Sequence, residues 1–173
     1  MHAGLVVSQT CAVEQSQHEL ARQVLIDLDV GDDWLAALDP DSPQWMVELQ
    51  RQTIDAYRAG NLEWVLNQAD PEIEIVQPSE FPGARTYRGH EGLVEALLDW
   101  PREWEDFGIE AKRMFACSED QFVVVATHRG RSRTMGIDVE GEIVWLYTRR
   151  NGLTTRWDMF MTLEQALEAA DAS

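Results

Sequence analysis

The stretch NGLTTRWDMFMTLEQALEAA, residues 151–170, packs a turn, a strand and a capped helix into twenty residues, and its reading decides the fold. Asn151-Gly152 is the dipeptide that two-residue hairpins prefer, because both positions tolerate positive φ. Leu153 to Phe160 follows as a β-type run. Thr162 and Gln165 stand at the spacing of a capping box, in which each side chain satisfies an N–H of the other's segment. Behind them Leu163, Ala166, Leu167 and Ala170 recur at helical spacing.

Upstream of the hairpin the period-2 character continues. Phe107 to Phe115, Gln121 to Gly130 and Glu140 to Arg150 are β-type runs separated by turn-forming residues. Further upstream the period becomes helical. Met46, Leu49, Thr53, Ile54 and Tyr57 repeat at three and four residues, with Ser42 as the expected N-cap, Pro43 in the first turn and Gly60 as the stop. Leu62, Val65 and Leu66 form a short second turn of helix, and Ile73, Ile75 and Gln77 alternate as a strand. Pro78 to Gly89 reads as a loop. Leu93, Val94, Leu97 and Leu98 mark a third helix that is expected to end at Trp100 because Pro101 follows. Helices first and an antiparallel sheet afterwards predict an α+β domain.

The first 43 residues differ in character, with one basic residue, Arg22, against eight acids. Two short helices are expected there, one over His18 to Leu28 and one around Trp34, Leu35 and Leu38. The turn-rich DPDSP at 39–43 divides the chain into an acidic helical N-terminal arm, residues 1–43, and a main domain, residues 44–173.

Composition narrows the function class. The chain has 173 residues, 45% of them hydrophobic, enough for one sizeable core. Its net charge of −17 repels phosphate backbones and anionic lipid, so neither nucleic acid nor a membrane is an expected partner. The start, MHAGLVVSQT, lacks the basic flank of a secretion signal, and a cytoplasmic protein is expected. Cys11 and Cys117 are too few for a disulfide framework. No His, Cys or carboxylate spacing calls for a metal or another cofactor.

The words AYRAGNLEWVL, ADPEIEIVQP, YRGHEGLVEAL and NGLTTRWDMFMTLEQALEAA, in this order from about Trp45 to Ala170, resemble the SnoaL-like branch of the nuclear transport factor 2-like superfamily. The resemblance implies a curved antiparallel sheet wrapped by three helices into a cone. It further implies an interior pocket for an apolar or amphipathic small molecule, commonly in a homodimer paired through the sheet. That superfamily holds isomerases, polyketide cyclases, epoxide hydrolases, dehydratases and non-catalytic proteins, so the pocket residues must choose among them. Gln77 stands where the isomerases place a catalytic aspartate, and an amide is no general base. The hydrolases' Arg-x-Asp is replaced by His128 and Gly130, although Asp158 matches their second aspartate. The cyclases' His and Asp find counterparts in His128 and Asp158.

His128 shares a face with Val124 and Ala126 by alternation, and Asp158 lies between Trp157 and Met159, where burial would raise its pKa. The pair is thus the expected proton-handling site for a cofactor-independent cyclisation, isomerisation or epoxide opening. Tyr57, Gln77 and Tyr147 are expected to orient polar groups of the ligand. Trp100, Trp104, Trp145 and Trp157 are expected to stack on it. The competing readings are structural: His128 held at the sheet rim, Asp158 paired with Arg129 or Arg156, and tryptophans that fill a solid core. With them stands the alternative of a non-catalytic ligand-binding or interaction module, which an arm folded into the cone would favour.

Overall fold

A computed structural model describes residues 7–81 and 83–172. In chain order the elements are α1 (Val7–Asp27), β1 (Asp29–Val30), a single 3-10 turn (Leu35–Ala37), α2 (Gln44–Arg58), α3 (Leu62–Asn67), β2 (Ala69–Val76) and β3 (Thr86–Arg88). There follow α4 (Gly89–Glu103), β4 (Trp104–Ala116), β5 (Gln121–Ser132), β6 (Asp138–Arg150), β7 (Leu153–Phe160) and α5 (Leu163–Asp171). No helix among the described residues is long and apolar enough to cross a membrane.

The seven strands form one curved sheet in the order β1-β4-β5-β6-β7-β2-β3. It is mostly antiparallel, with parallel pairings at β1–β4 and β2–β7. Register shifts in β4–β5 and β6–β7 insert unpaired residues, and such bulges bend a strand and add twist, which here curls the sheet around the helices. The β6–β7 turn is the expected Asn151-Gly152, with φ of 52° and 82°.

Alternation sends Phe122, Val124 and Ala126 of β5, Ile143 and Trp145 of β6 and Met159 of β7 inward, into a core shared with α2, α4 and residues Val30 and Trp34. The other face buries Val123, Val125, Val144 and Leu146 under Ala166 of α5. The capping box of α5 forms as the sequence indicates, with Thr162 accepting from the Gln165 N–H and Gln165 accepting from the Thr162 N–H.

Several local expectations differ from the structure. The first expected helix is longer than predicted, 21 residues that begin well before His18, and the second is a single 3-10 turn, Leu35–Ala37. Ala21 and Leu25 pack on Leu62, Val94 and Leu98, and this tertiary contact carries the helix through a weak sequence pattern. Ser42 does not cap α2: its backbone N–H closes a turn onto the Asp39 carbonyl, and its hydroxyl is buried without a partner. The loop before α4 contains β3, drawn into pairing by the edge of β2. Pro101 sits inside the last turn of α4, which runs on to Glu103 before Trp104 turns extended.

Gly60 stops α2 as expected, with a φ of 61° and the N–H groups of Gly60 and Asn61 bonded to the Tyr57 and Ala56 carbonyls. A Cβ there would lie 2.6 Å from a carbon of Ile26, so glycine also allows α1 its close approach.

Candidate functional site

Between the inner face of the sheet and the helices lies a cavity of about 150 Å³. Its wall is largely aromatic and aliphatic: Tyr57, Trp100, Trp145, Tyr147 and Trp157 line it, joined by Trp34, Phe107 and Phe122. Trp34 stacks on Trp145 at 6.2 Å, and Tyr147 lies between the rings of Phe122 at 4.7 Å and Trp157 at 5.5 Å. These stacks hold the wall in place, as offset aromatic pairs do.

Polar groups on this wall are few. Gln50 of α2 is 5% exposed and lines the cavity, and no hydrogen-bond partner meets its amide among the described residues. The hydroxyls of Tyr57 and Tyr147 likewise lack a partner among the described residues. Burial pushes the Tyr57 phenol up to about 12 and Tyr147 well above its ordinary value, the latter with a further contribution from nearby Tyr57. Both phenols stay protonated at neutral pH, as hydrogen-bond donors in a largely apolar chamber. The indole N–H groups of Trp145 and Trp157 are buried without partners. Native interiors rarely leave donors unpaired, so such groups mark a place where a ligand or water belongs.

His128 faces inward but is not on the cavity wall. It packs on Trp100 at 5.3 Å and Trp104 at 6.4 Å, and its Nδ1 is buried with no partner. Burial lowers its pKa, so the ring is held neutral. Asp158 points the other way. Its strand neighbours Trp157 and Met159 line the cavity, while Asp158 pairs with Leu146 on the outer face and accepts from Arg156 Nε at 2.7 and 3.0 Å. His128 and Asp158 therefore do not meet: one packs among the inner aromatic rings and the other lies beside Leu146 on the outer face. The pairing of Asp158 with Arg156 corresponds to the competing structural reading.

Gln77 lies past the end of β2, where its Nε2 donates to the Tyr87 hydroxyl at 3.2 Å and its Oε1 accepts from the Arg85 N–H at 3.3 Å. Its amide is engaged at the β2–β3 edge and is not on the cavity wall. Trp104 packs against His128 and is not on the cavity wall. Of the nine side chains singled out from sequence, the fold brings Tyr57, Trp100, Trp145, Tyr147 and Trp157 to one cavity. Gln50 escaped notice although a signal existed, since it stands four residues from both Met46 and Ile54 on the buried face of α2. Trp34 and Phe122 gave no signal, because their positions depend on how distant segments meet. Among the described residues no group of three His, Cys, Asp or Glu side chains is arranged to hold a metal ion.

Residues 50–157 match the family model of the SnoaL-like domain. No curated protein matches the chain. Among solved structures, an NTF2-like protein from Burkholderia xenovorans LB400 is 26% identical, with 75% of this chain and 97% of that one covered at a TM-score of 0.57. An NTF2-like protein of unknown function from Burkholderia pseudomallei K96243 is 16% identical, covering 70% of this chain and 93% of that one at a TM-score of 0.58. TerC, co-crystallised with polyporic acid, is 21% identical over 70% of this chain and 97% of its own, at a TM-score of 0.55.

Proposed function

The chain belongs to the SnoaL-like family, and from that premise we propose that it binds an aromatic or polycyclic small molecule inside the cone. The observation that carries this reading is the aromatic cavity in which the side chains of Gln50, Tyr57 and Tyr147 have no hydrogen-bond partner among the described residues. A flat apolar ligand with one or two oxygen acceptors satisfies both the wall and the donors. That TerC shares the fold and was crystallised with a small molecule agrees with it.

Within this cavity Tyr57 and Tyr147, rather than His128 and Asp158, are the groups that would donate hydrogen bonds to a ligand oxygen. Two neutral phenols in a largely apolar site stabilise negative charge developing on a carbonyl oxygen, as an oxyanion hole does. The placement of His128 and Asp158 on opposite faces of the sheet is what supports giving them no shared role in this reading. The second reading is a non-catalytic binder, favoured by the arm: Val24, Leu28, Val30 and Trp34, all within residues 1–43, form part of the cavity wall.

The test is a titration with 2-naphthol followed by tryptophan fluorescence, with the variant Ala96→Phe to fill the cavity from α4. Saturable binding at one per chain that is lost in the folded variant supports the interior site. Binding unaffected by Ala96→Phe places the ligand elsewhere and refutes the reading.

A further inference from the structure

At one end of the apolar wall stands a cation. Trp145, Tyr147 and Arg149 occupy alternate positions of β6, so the pleat sends all three inward, and the register shift after Thr148 sets Arg149 opposite Thr154. Arg149 lines both the interior cavity and a groove on its outer side. Its Nη1 donates to Thr154 Oγ1 at 3.1 Å and its Nη2 donates to the Gly152 carbonyl. The ring of Trp45 lies 6.0 Å from the guanidinium carbon. All of these partners are neutral.

This environment is unlike that of the other basic residues. Among the described residues Arg149 is the arginine that is half-buried, the rest being exposed, and no carboxylate lies within 4.0 Å of it. Most of the exposed arginines do have such a partner, including Arg129 with Asp29, Arg131 with Asp138 and Arg133 with Glu105. Glu48, Glu119 and Asp120 border the outer groove without pairing to Arg149, and Glu48 is engaged by Arg51 and Gln52. A chain with 31 acids has left its most enclosed arginine without a counter-charge. Burying a cation is costly unless it is paired, and a guanidinium carries five donors of which two are used here. The remaining fork is available to an acceptor that the chain itself does not supply.

We propose that Arg149 is the anion anchor of the cavity and that the ligand is an aromatic carboxylate, its rings against Trp145 and Tyr147 and its charge on the guanidinium. This rests on the reading of the cavity as a small-molecule site. The geometry suits it, since a planar fork meets a planar carboxylate with two parallel bonds. The acids around the outer groove disfavour an anion there and favour one on the cavity side.

The experiment compares 2-naphthoate with naphthalene-2-carboxamide, equal in shape and different in charge, by calorimetric titration of the full chain, Arg149→Gln and Arg149→Lys. The wild-type protein is expected to prefer the carboxylate by about tenfold or more, the size of a charge-assisted hydrogen bond. In Arg149→Gln that ratio falls to about one, and in Arg149→Lys, which keeps the charge without the fork, it stays between the two. Equal affinities of the wild-type protein for both probes overturn the anchor and leave the cavity reading intact, with Arg149 merely stapling the β6–β7 turn. Absence of binding by either probe overturns both. If Arg149→Gln fails to fold, the wild-type ratio and Arg149→Lys decide alone.

Discussion

The phenol of Tyr57, carried by α2, and that of Tyr147, carried by β6, share one apolar chamber, close enough that charge on the first raises the pKa of the second. Burial works on both in the same direction, because a phenolate cannot be solvated there. Tyr87, the remaining tyrosine, is raised as well, chiefly by its own burial. An alkaline titration followed by tyrosinate absorbance is therefore expected to show no ionisation near the ordinary value of about 10 while the protein stays folded. A tyrosinate signal there that persists in Tyr87→Phe, which leaves only the two chamber phenols, would mean that water reaches the chamber.

The same two hydroxyls lead to a second expectation. Tyr57→Phe and Tyr147→Phe remove donors that no group among the described residues uses, so each variant should melt at or slightly above the wild-type temperature. Each should weaken 2-naphthol binding by about three- to tenfold, the net value of one hydrogen bond. A drop in melting temperature with unchanged affinity would show that the hydroxyls serve the fold.

His128 gives a pH dependence whose sign follows from its burial. Its folded pKa lies below the unfolded value of about 6.5, so protons bind the unfolded chain first as pH falls. Its contribution to stability is present above about pH 6.5 and is lost as pH drops through the folded value. His128→Phe should narrow the difference in melting temperature between pH 7.5 and pH 5. Since the buried Nδ1 has no partner, the variant should be no less stable at pH 7.5. Equal pH dependence in the two proteins would exclude this histidine as the titrating group.

Asp158→Asn tests the outer-face placement. The carboxylate is held by Arg156, whose Nη1 also donates to Glu74 at 2.8 Å, so one arm of the small network survives the change. A loss of roughly 1 kcal/mol or less is expected by chemical denaturation. Affinity for 2-naphthol should be unchanged, and a large loss of it would return Asp158 to the site.

Trp34 ties the N-terminal segment to the site. It is 5% exposed, stacks on Trp145 and donates its indole N–H to the Ile109 carbonyl at 3.3 Å. Trp34→Ala should cost about 3–5 kcal/mol and enlarge the cavity. Scanning calorimetry should show the melting temperature falling by on the order of 10 °C. A smaller shift would mean that the segment rests on the cone without stabilising it.

The sequence by itself determined what depends on neighbours a few residues away. The Asn151-Gly152 turn, the Thr162–Gln165 capping box, the Gly60 stop and the alternation of β5, β6 and β7 are set by local backbone preference and side-chain period. The helix-then-sheet order, and with it the family resemblance, follows from these. Tertiary structure decided everything that needed two distant segments to meet. α1 runs unbroken because α3 and α4 receive it, β3 exists because β2 offers an edge, and Trp34 reaches Trp145 from a segment that β1 ties to β4. The same holds for the site. A period of two shows that Asp158 and Trp157 must face opposite ways, but not which of them faces inward. That choice is made by burial of Trp157 against Tyr147 and by Arg156 and Glu74 waiting on the other side. Free energy of packing, which is summed over contacts between distant segments, sets that facing, and no local pattern carries it.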